Sequence, residues 1–426
     1  MKRRLFELFA IFLIAWGLRF GLMYYRLTTL GITPLESSPQ AIEYKLLGQA
    51  LLYRGEWSNG GFIARPPLLP LLIAGVYRLF GEVDTAVGVV NTILGAATAC
   101  VVYALADRLT HDAGVARLAG LLAAIDAASI VNNINLQAET LTNFCLALAM
   151  LWLVFTVQRP TAMNALVAGL WIGLAALARP TTLYLFVFCA PLFVLLFKPW
   201  LRLYILFAVL PLAFVLGWCA RNFFYIGEFT YSSVADFNML FYRAVSVERW
   251  ARGGADDVEI RRQFSIELER RLGNPVDETQ IDAAYFWWNF APQDGRRVRL
   301  MRAMALEVFR AHPFWYFATV PPGLIRMYAY TDFGGNPFWP EIAYNSALYL
   351  SALAGAVICW KQKQWPTLWL TGTVIFYVTL ATLMSQTTGM DTRMRTSTTI
   401  AWAVLAGIGL VNVWASWAGR ARARAY

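Results

Sequence analysis

Long apolar runs, broken by short clusters of arginine, proline and aromatic residues, set the pattern of the chain. Ten such windows stand out, at 5–26, 85–107, 114–132, 139–157, 162–178, 181–198, 202–220, 341–360, 366–385 and 397–416. Crossing the ~30 Å hydrocarbon core of a bilayer as a helix takes ~20 mostly apolar residues. In lipid each backbone N–H and C=O must be paired within its own segment, which a helix does. Barrel strands would be ~10 residues of alternating polarity, and the runs here are longer and continuous. The pattern therefore predicts an all-α, polytopic transmembrane helical bundle of about 10–11 crossings.

Between the runs the pattern changes. Residues 27–84 form a first outer loop in which Ser38-Pro39 reads as an N-cap followed by proline at the first helical position. The helix it starts carries Gln40, Glu43 and Tyr44 on one face. A proline-rich stretch, Arg65-Pro66-Pro67-Leu68-Leu69-Pro70, precedes another apolar run that ends at Phe80-Gly81. The longer segment 221–340 is predicted to be an outer helical cap. Its first helix opens at Asp256-Asp257, places Ile260, Phe264, Leu268 and Leu272 at spacing four, and stops at Gly273-Asn274-Pro275. A second is expected from Asp277-Glu278 to Phe286-Trp287-Trp288. A third is expected after Asp294, with Met301, Met304, Ala305 and Val308 on one face. The chain thus divides into an N-terminal membrane region (1–220), the cap (221–340) and C-terminal membrane helices (341–426). Residues 313–331 contain Pro321-Pro322 and Arg326 and are not expected to cross, which favours ten crossings over eleven.

Composition agrees with membrane residence: 58% of the 426 residues are hydrophobic and 17 are tryptophan. The net charge of +10 does not point to nucleic acid, because the arginines sit at segment ends rather than in a basic stripe interleaved with aromatics. They orient the chain instead. Lys2, Arg3, Arg4, Arg108, Arg117, Arg159, Lys198, Arg202, Lys361, Lys363, Arg420, Arg422 and Arg424 all fall at ends assigned to the cytoplasm. Arg19 and Tyr24-Tyr25-Arg26, rather than a small-residue cleavage site, follow the first apolar run, so it is expected to be a retained first helix. The five cysteines lie in or at the ends of apolar windows without a CxxC, and His111 and His312 are far apart; neither set predicts a disulfide framework or a zinc site.

The candidate chemistry gathers at the outer helix ends. Glu139, Arg179, Arg221, Arg393 and Arg395 share that face under this topology. A guanidinium donates two parallel hydrogen bonds and so suits phosphate, although each arginine taken alone reads first as an interface anchor. From spacing alone Glu43 reads first as a solvated surface charge. Asp126 lies inside an apolar window, ~10 Å below the outer end at 1.5 Å per residue. An intramembrane carboxylate is costly and calls for a cavity or a partner.

In order and spacing these pieces resemble the GT-C membrane glycosyltransferases, in particular the group of protein O-mannosyltransferases and lipid A aminoarabinose transferases. The resemblance rests on the Gln40–Leu52 helix with Glu43-Tyr44, on Arg65-Pro66-Pro67-Leu68-Leu69-Pro70, and on Leu136-Gln137-Ala138-Glu139. It extends through Ala178-Arg179-Pro180-Thr181, Arg221-Asn222 and Arg393-Met394-Arg395. It implies transfer of a sugar from a polyprenyl-phosphate donor to a lipid, glycan or protein acceptor hydroxyl on the outer, periplasmic face of the cell inner membrane. It also implies that Glu43, then Glu36, takes the acceptor proton. Tyr44, Arg65, Glu139, Arg179, Arg221, Arg393 and Arg395 would bind substrate, with room for a divalent metal as cofactor. The chain departs from the family at Gln40, where an aspartate is usual; a neutral amide cannot serve as that base. Two other readings remain open: a non-catalytic homologue that binds lipid-linked sugar, and a polytopic transporter.

Overall fold

The computed structural model describes residues 2–57, 63–196, 200–329, 332–333, 336–385 and 392–423; Lys198 and Arg424 lie outside them. The apolar windows become helices. The first half holds α1 (Lys2–Leu30), α2 (Pro39–Arg54), α3 (Leu68–Phe80), α4 (Asp84–Thr110), α5 (Ala113–Ile125), α6 (Ala127–Ile134), α7 (Ala138–Gln158) and α8 (Ala162–Ala178). Short helices α9 (Leu185–Phe188) and α10 (Ala190–Leu196) lead into α11 (Trp200–Ile226). The cap contains α12 (Ser233–Asn238), a π-helical turn (Met239–Ala244), α13 (Val245–Ala251), α14 (Asp257–Leu272) and α15 (Gly295–Ala311). Then come α16 (Pro313–Ala318), α17 (Val320–Tyr328), α18 (Trp339–Lys361), α19 (Trp365–Ser385) and α20 (Thr396–Ala423).

Among the described residues, seven helices are long and apolar enough to cross a bilayer, namely α1, α4, α7, α11, α18, α19 and the one through Arg393–Trp417. The three remaining windows depart from straight spans. Window 114–132 is the pair α5–α6, bent by 48° at Asp126, whose side chain leaves the helix path to cap α6 through Ser129 N. Windows 162–178 and 181–198 become the shorter apolar helices Ala162–Ala178 and Pro180–Leu196. Proline at 180 ends α8 because the residue before a proline is pushed to extended backbone, and Arg179 is extended, at φ −150° and ψ 134°. Residues 313–331 hold only α16 and α17, of 6 and 9 residues, each too short to cross alone.

Side-chain contacts fix which helix ends share a face. At one end Arg4 pairs with Asp107 at 3.0 Å, and Glu7 takes the Tyr103 hydroxyl at 2.7 Å. At the other end Arg26 reaches Asn135, and Arg179 and Arg393 reach Glu139. The polar groups singled out in the sequence therefore share the second end. Helices α18 and α20 meet with their backbones in contact: a Cβ on Gly355 would run into the Leu405 carbonyl, and one on Gly409 into that of Ser351.

The cap follows the sequence reading in two of its three helices. Asp256 caps α14 and Gly273 closes it in the left-handed region at φ 82°. Asp294 caps α15, which buries Met301, Met304 and Ala305. The expected middle helix from Asp277 does not form. The Asp277 carboxylate accepts from Thr279 N and Oγ1, and Asp282 accepts from Ala284 N. These local bonds draw the chain into turns that end in a 3₁₀ segment at Tyr285–Asn289.

Candidate active site

Helix α2 is set by its start. Ser38 is extended and its Oγ accepts from Ala41 N at 3.1 Å, with Pro39 in the first turn, a cap worth ~1 kcal/mol. The Gln137 side chain reaches the same Ser38 oxygen at 3.1 Å, so α2 and the entry to α7 share a joint. Leu136 before it is fully buried yet holds φ at 47°. This left-handed turn is costly for a bulky residue; it reverses the chain between α6 and α7 and aims Gln137 and Glu139 at the first loop.

Glu139 is the centre of the cluster. It lies in the first turn of α7, where the helix dipole favours a negative charge, and its side chain is buried. One of its oxygens, Oε1, meets Arg179 Nη1 at 2.9 Å and Arg393 Nε at 3.4 Å. Arg393 also donates from Nη1 to Gln40 Oε1 at 3.0 Å and, more weakly, to Gln137 Oε1 at 3.5 Å. Beside it, Arg65 donates from Nε and Nη2 to the same oxygen of Glu43, Oε2, at 3.0 and 2.9 Å. The Arg65 guanidinium also lies 5.2 Å from the Tyr44 ring centre and 4.8 Å from that of Phe290 in the cap. Burial pushes the Tyr44 phenol up, with Arg65 pulling the other way, so Tyr44 is a donor and not a base at neutral pH.

Gln40, Glu43, Tyr44, Arg65, Glu139, Arg179 and Arg393 thus come together from five separated stretches. The other candidates lie elsewhere. Glu36 is exposed and takes the Thr33 hydroxyl at 2.8 Å. Arg221 bonds Asn222 Oδ1 at 2.8 Å and the Trp57 carbonyl, between the rings of Trp218 and Tyr225. Arg395 is fully buried, held by Asp126 at 2.9 Å and Glu341 at 3.3 Å. It answers the need of Asp126 for a partner inside the membrane region. Gln137 went unnoticed as a site residue because it carries no charge; its place directly before Ala138-Glu139 was the available signal.

Two guanidiniums, Arg179 and Arg393, converge on one carboxylate beside the Arg65–Glu43 pair. That suits a phosphate. It does not suit a divalent cation: Glu139 and Glu43 are both committed to arginines, and no group of three His, Cys, Asp or Glu side chains gathers among the described residues.

Comparison with known proteins places this geometry. Residues 64–220 match the family described as dolichyl-phosphate-mannose-protein mannosyltransferase. No curated protein matches the chain in sequence. Among solved structures, the archaeal oligosaccharyltransferase AglB from Archaeoglobus fulgidus, in complex with an inhibitory peptide and a dolichol-phosphate, superposes with a TM-score of 0.57 at 16% identity. That alignment covers 99% of this chain and 52% of AglB. The apo form of the A. fulgidus enzyme gives a TM-score of 0.59 at 16% identity, with the same coverages of 99% and 52%. The chain therefore spans about half the length of these relatives. It has the GT-C fold of membrane glycosyltransferases, and its residues 64–220 match the dolichyl-phosphate-mannose-protein mannosyltransferase family.

Proposed function

We propose that the protein is a membrane glycosyltransferase that moves a sugar from a polyprenyl-phosphate donor to an acceptor hydroxyl, at the extracytoplasmic face of the cell inner membrane. The observation that carries this reading is the convergence of Arg179 and Arg393 on Glu139 beside the first-loop helix. In the reaction the acceptor oxygen forms a bond to the anomeric carbon, the bond from that carbon to the phosphate oxygen breaks, and the acceptor proton passes to a carboxylate. The leaving phosphate gains negative charge. Arginines already in place stabilise that charge without reorganising; Arg393 and Arg179 take this role, and Glu139 holds both forks in register. Glu43 is the base. Both Arg65 bonds fall on its Oε2, which leaves Oε1 for the acceptor, and Tyr44 donates to a sugar or acceptor oxygen. No step runs through a metal.

Gln40 supports a second reading, a lipid-sugar-binding homologue without turnover. Its amide occupies a place against Arg393 where the family resemblance calls for an aspartate. One assay separates the two: purified protein with labelled polyprenyl-phosphate sugars, scored for binding and for transfer. Transfer by the natural sequence, lost in Glu139→Gln, supports the enzyme. Binding without transfer, with turnover appearing in Gln40→Asp, supports the homologue. Transfer unchanged in both Arg179→Ala and Arg393→Ala would remove the phosphate roles. Sidedness is tested by a membrane-impermeant maleimide on a cysteine introduced next to Arg179, which should label from outside the cell.

A further inference from the structure

Beneath the cluster, within the membrane region, lies a cavity whose lining includes Arg19, Thr98, Ser129, Asn132, Thr140 and Thr396. We propose that it is an internal water site that braces the candidate active site from below.

The argument is one of donors and acceptors. Arg19 is 2% exposed and Asn132 is 4% exposed. The Arg19 Nη1 is satisfied by the carbonyls of Ala15 and Ala124, at 3.0 and 2.8 Å. Arg19 Nε and Asn132 Nδ2, in contrast, are buried donors with no protein acceptor. The hydroxyls around them present the opposite need. Thr98 gives its proton to the Leu94 carbonyl, Ser129 to Asp126, and Thr396 to the Arg393 carbonyl. These three oxygens therefore offer only lone pairs to the cavity. An anion would satisfy the first set and a cation the second. Water both donates and accepts, and so satisfies both. The charges agree: Arg19 and Arg395 balance Asp126 and Glu341, so the region as a whole needs no extra ion. The room left for water centres is about 30 Å³, enough for about two or three molecules.

The walls of this cavity are also the supports of the cluster. Thr140 follows Glu139, Thr396 bonds the Arg393 carbonyl at 2.9 Å, and the Asn132 carbonyl receives Gln137 N at 3.0 Å. The cavity also lies at the bend between α5 and α6. Irregular backbone at membrane depth is tolerated where it lines water.

Crystals grown with bromide in place of chloride test this directly. Oxygen-sized density within hydrogen-bond reach of Arg19 Nε and Asn132 Nδ2, without an anomalous bromine peak, is the expected result. A bromine peak would make it an anion site, and featureless density a dry cavity; either overturns the proposal. Asn132→Leu, which displaces water and strands Arg19 Nε, should lower Tm by several degrees. An unchanged or higher Tm would equally overturn it.

Discussion

Arg393 and Arg395 stand two residues apart at the head of α20 and live in different worlds. Arg393 has a quarter of its side chain exposed, and its partners include the Glu139 carboxylate and the amide oxygens of two glutamines. Arg395 has none of its side chain exposed and is closed in by two carboxylates and the Thr399 hydroxyl. The first keeps part of its side chain open to a ligand. The second is sealed inside the protein. An arginine at a membrane helix end is thus informative only with its burial beside it.

The largest expected effect separates the two at once. Arg395→Ala strands two buried carboxylates, and loss of one partner of a buried pair costs ~3–5 kcal/mol, so thermal unfolding in lipid nanodiscs should shift far down and transfer should vanish with the fold. Arg393→Ala should hardly move Tm and should lower kcat by ~10²–10³-fold, the scale of one lost transition-state donor. If both variants lose Tm alike, the distinction between the two arginines is broken.

A smaller effect sharpens it. Replacing the whole buried set, Asp126→Asn with Glu341→Gln, Arg395→Met and Arg19→Met, removes two charges of each sign together. Such replacements are often neutral or stabilising. Stability should return to near that of the natural sequence, and transfer with it. A folded but inactive quadruple variant would show that this buried set touches substrate after all.

The difference between the two arginines was partly legible. A spacing of two lies ~200° apart on an α-helix and ~240° apart on a 3₁₀ turn, so Arg393 and Arg395 could not face the same pocket. Asp126, a carboxylate inside an apolar run, called for a cavity or a partner, and the structure supplies Arg395. The helices themselves were legible because hydropathy and caps are local: Ser38-Pro39, Asp256, Gly273 and Asp294 all act within a few residues of where they stand. The joint at Gln137 was not, because it depends on Ser38 and on Arg393, 99 and 256 residues away. The turns after Asp277 were misread because a capping aspartate and a turn-forming aspartate look alike until the hydrogen bonds of the side chain are seen.

A third arginine–carboxylate pair, in the cap, gives the smallest effect and a measure of what water does to such pairs. Arg297 donates to Glu269, which also receives Asn274 Nδ2 at 2.5 Å. Burial raises the Glu269 carboxyl, but the hydrogen bonds from Arg297 and Asn274 outweigh it and hold the group below its ordinary value of 4.5. A carboxylate depressed in the folded state binds fewer protons there than in the unfolded chain. Its contribution is present in full above pH ~4.5 and fades as pH falls through the depressed folded value. In Glu269→Gln the acid limb of a Tm-against-pH curve should therefore be shallower, while Tm at neutral pH drops less than in Arg395→Ala, because Arg297 keeps part of its side chain exposed and Asn289 as a further partner. An acid limb as steep as that of the natural sequence would mean that the pair contributes nothing. A neutral-pH loss as large as that of Arg395→Ala would mean that the cap seals its ion pairs as tightly as the bundle does, and exposure would no longer separate a supporting arginine from one held ready for a ligand.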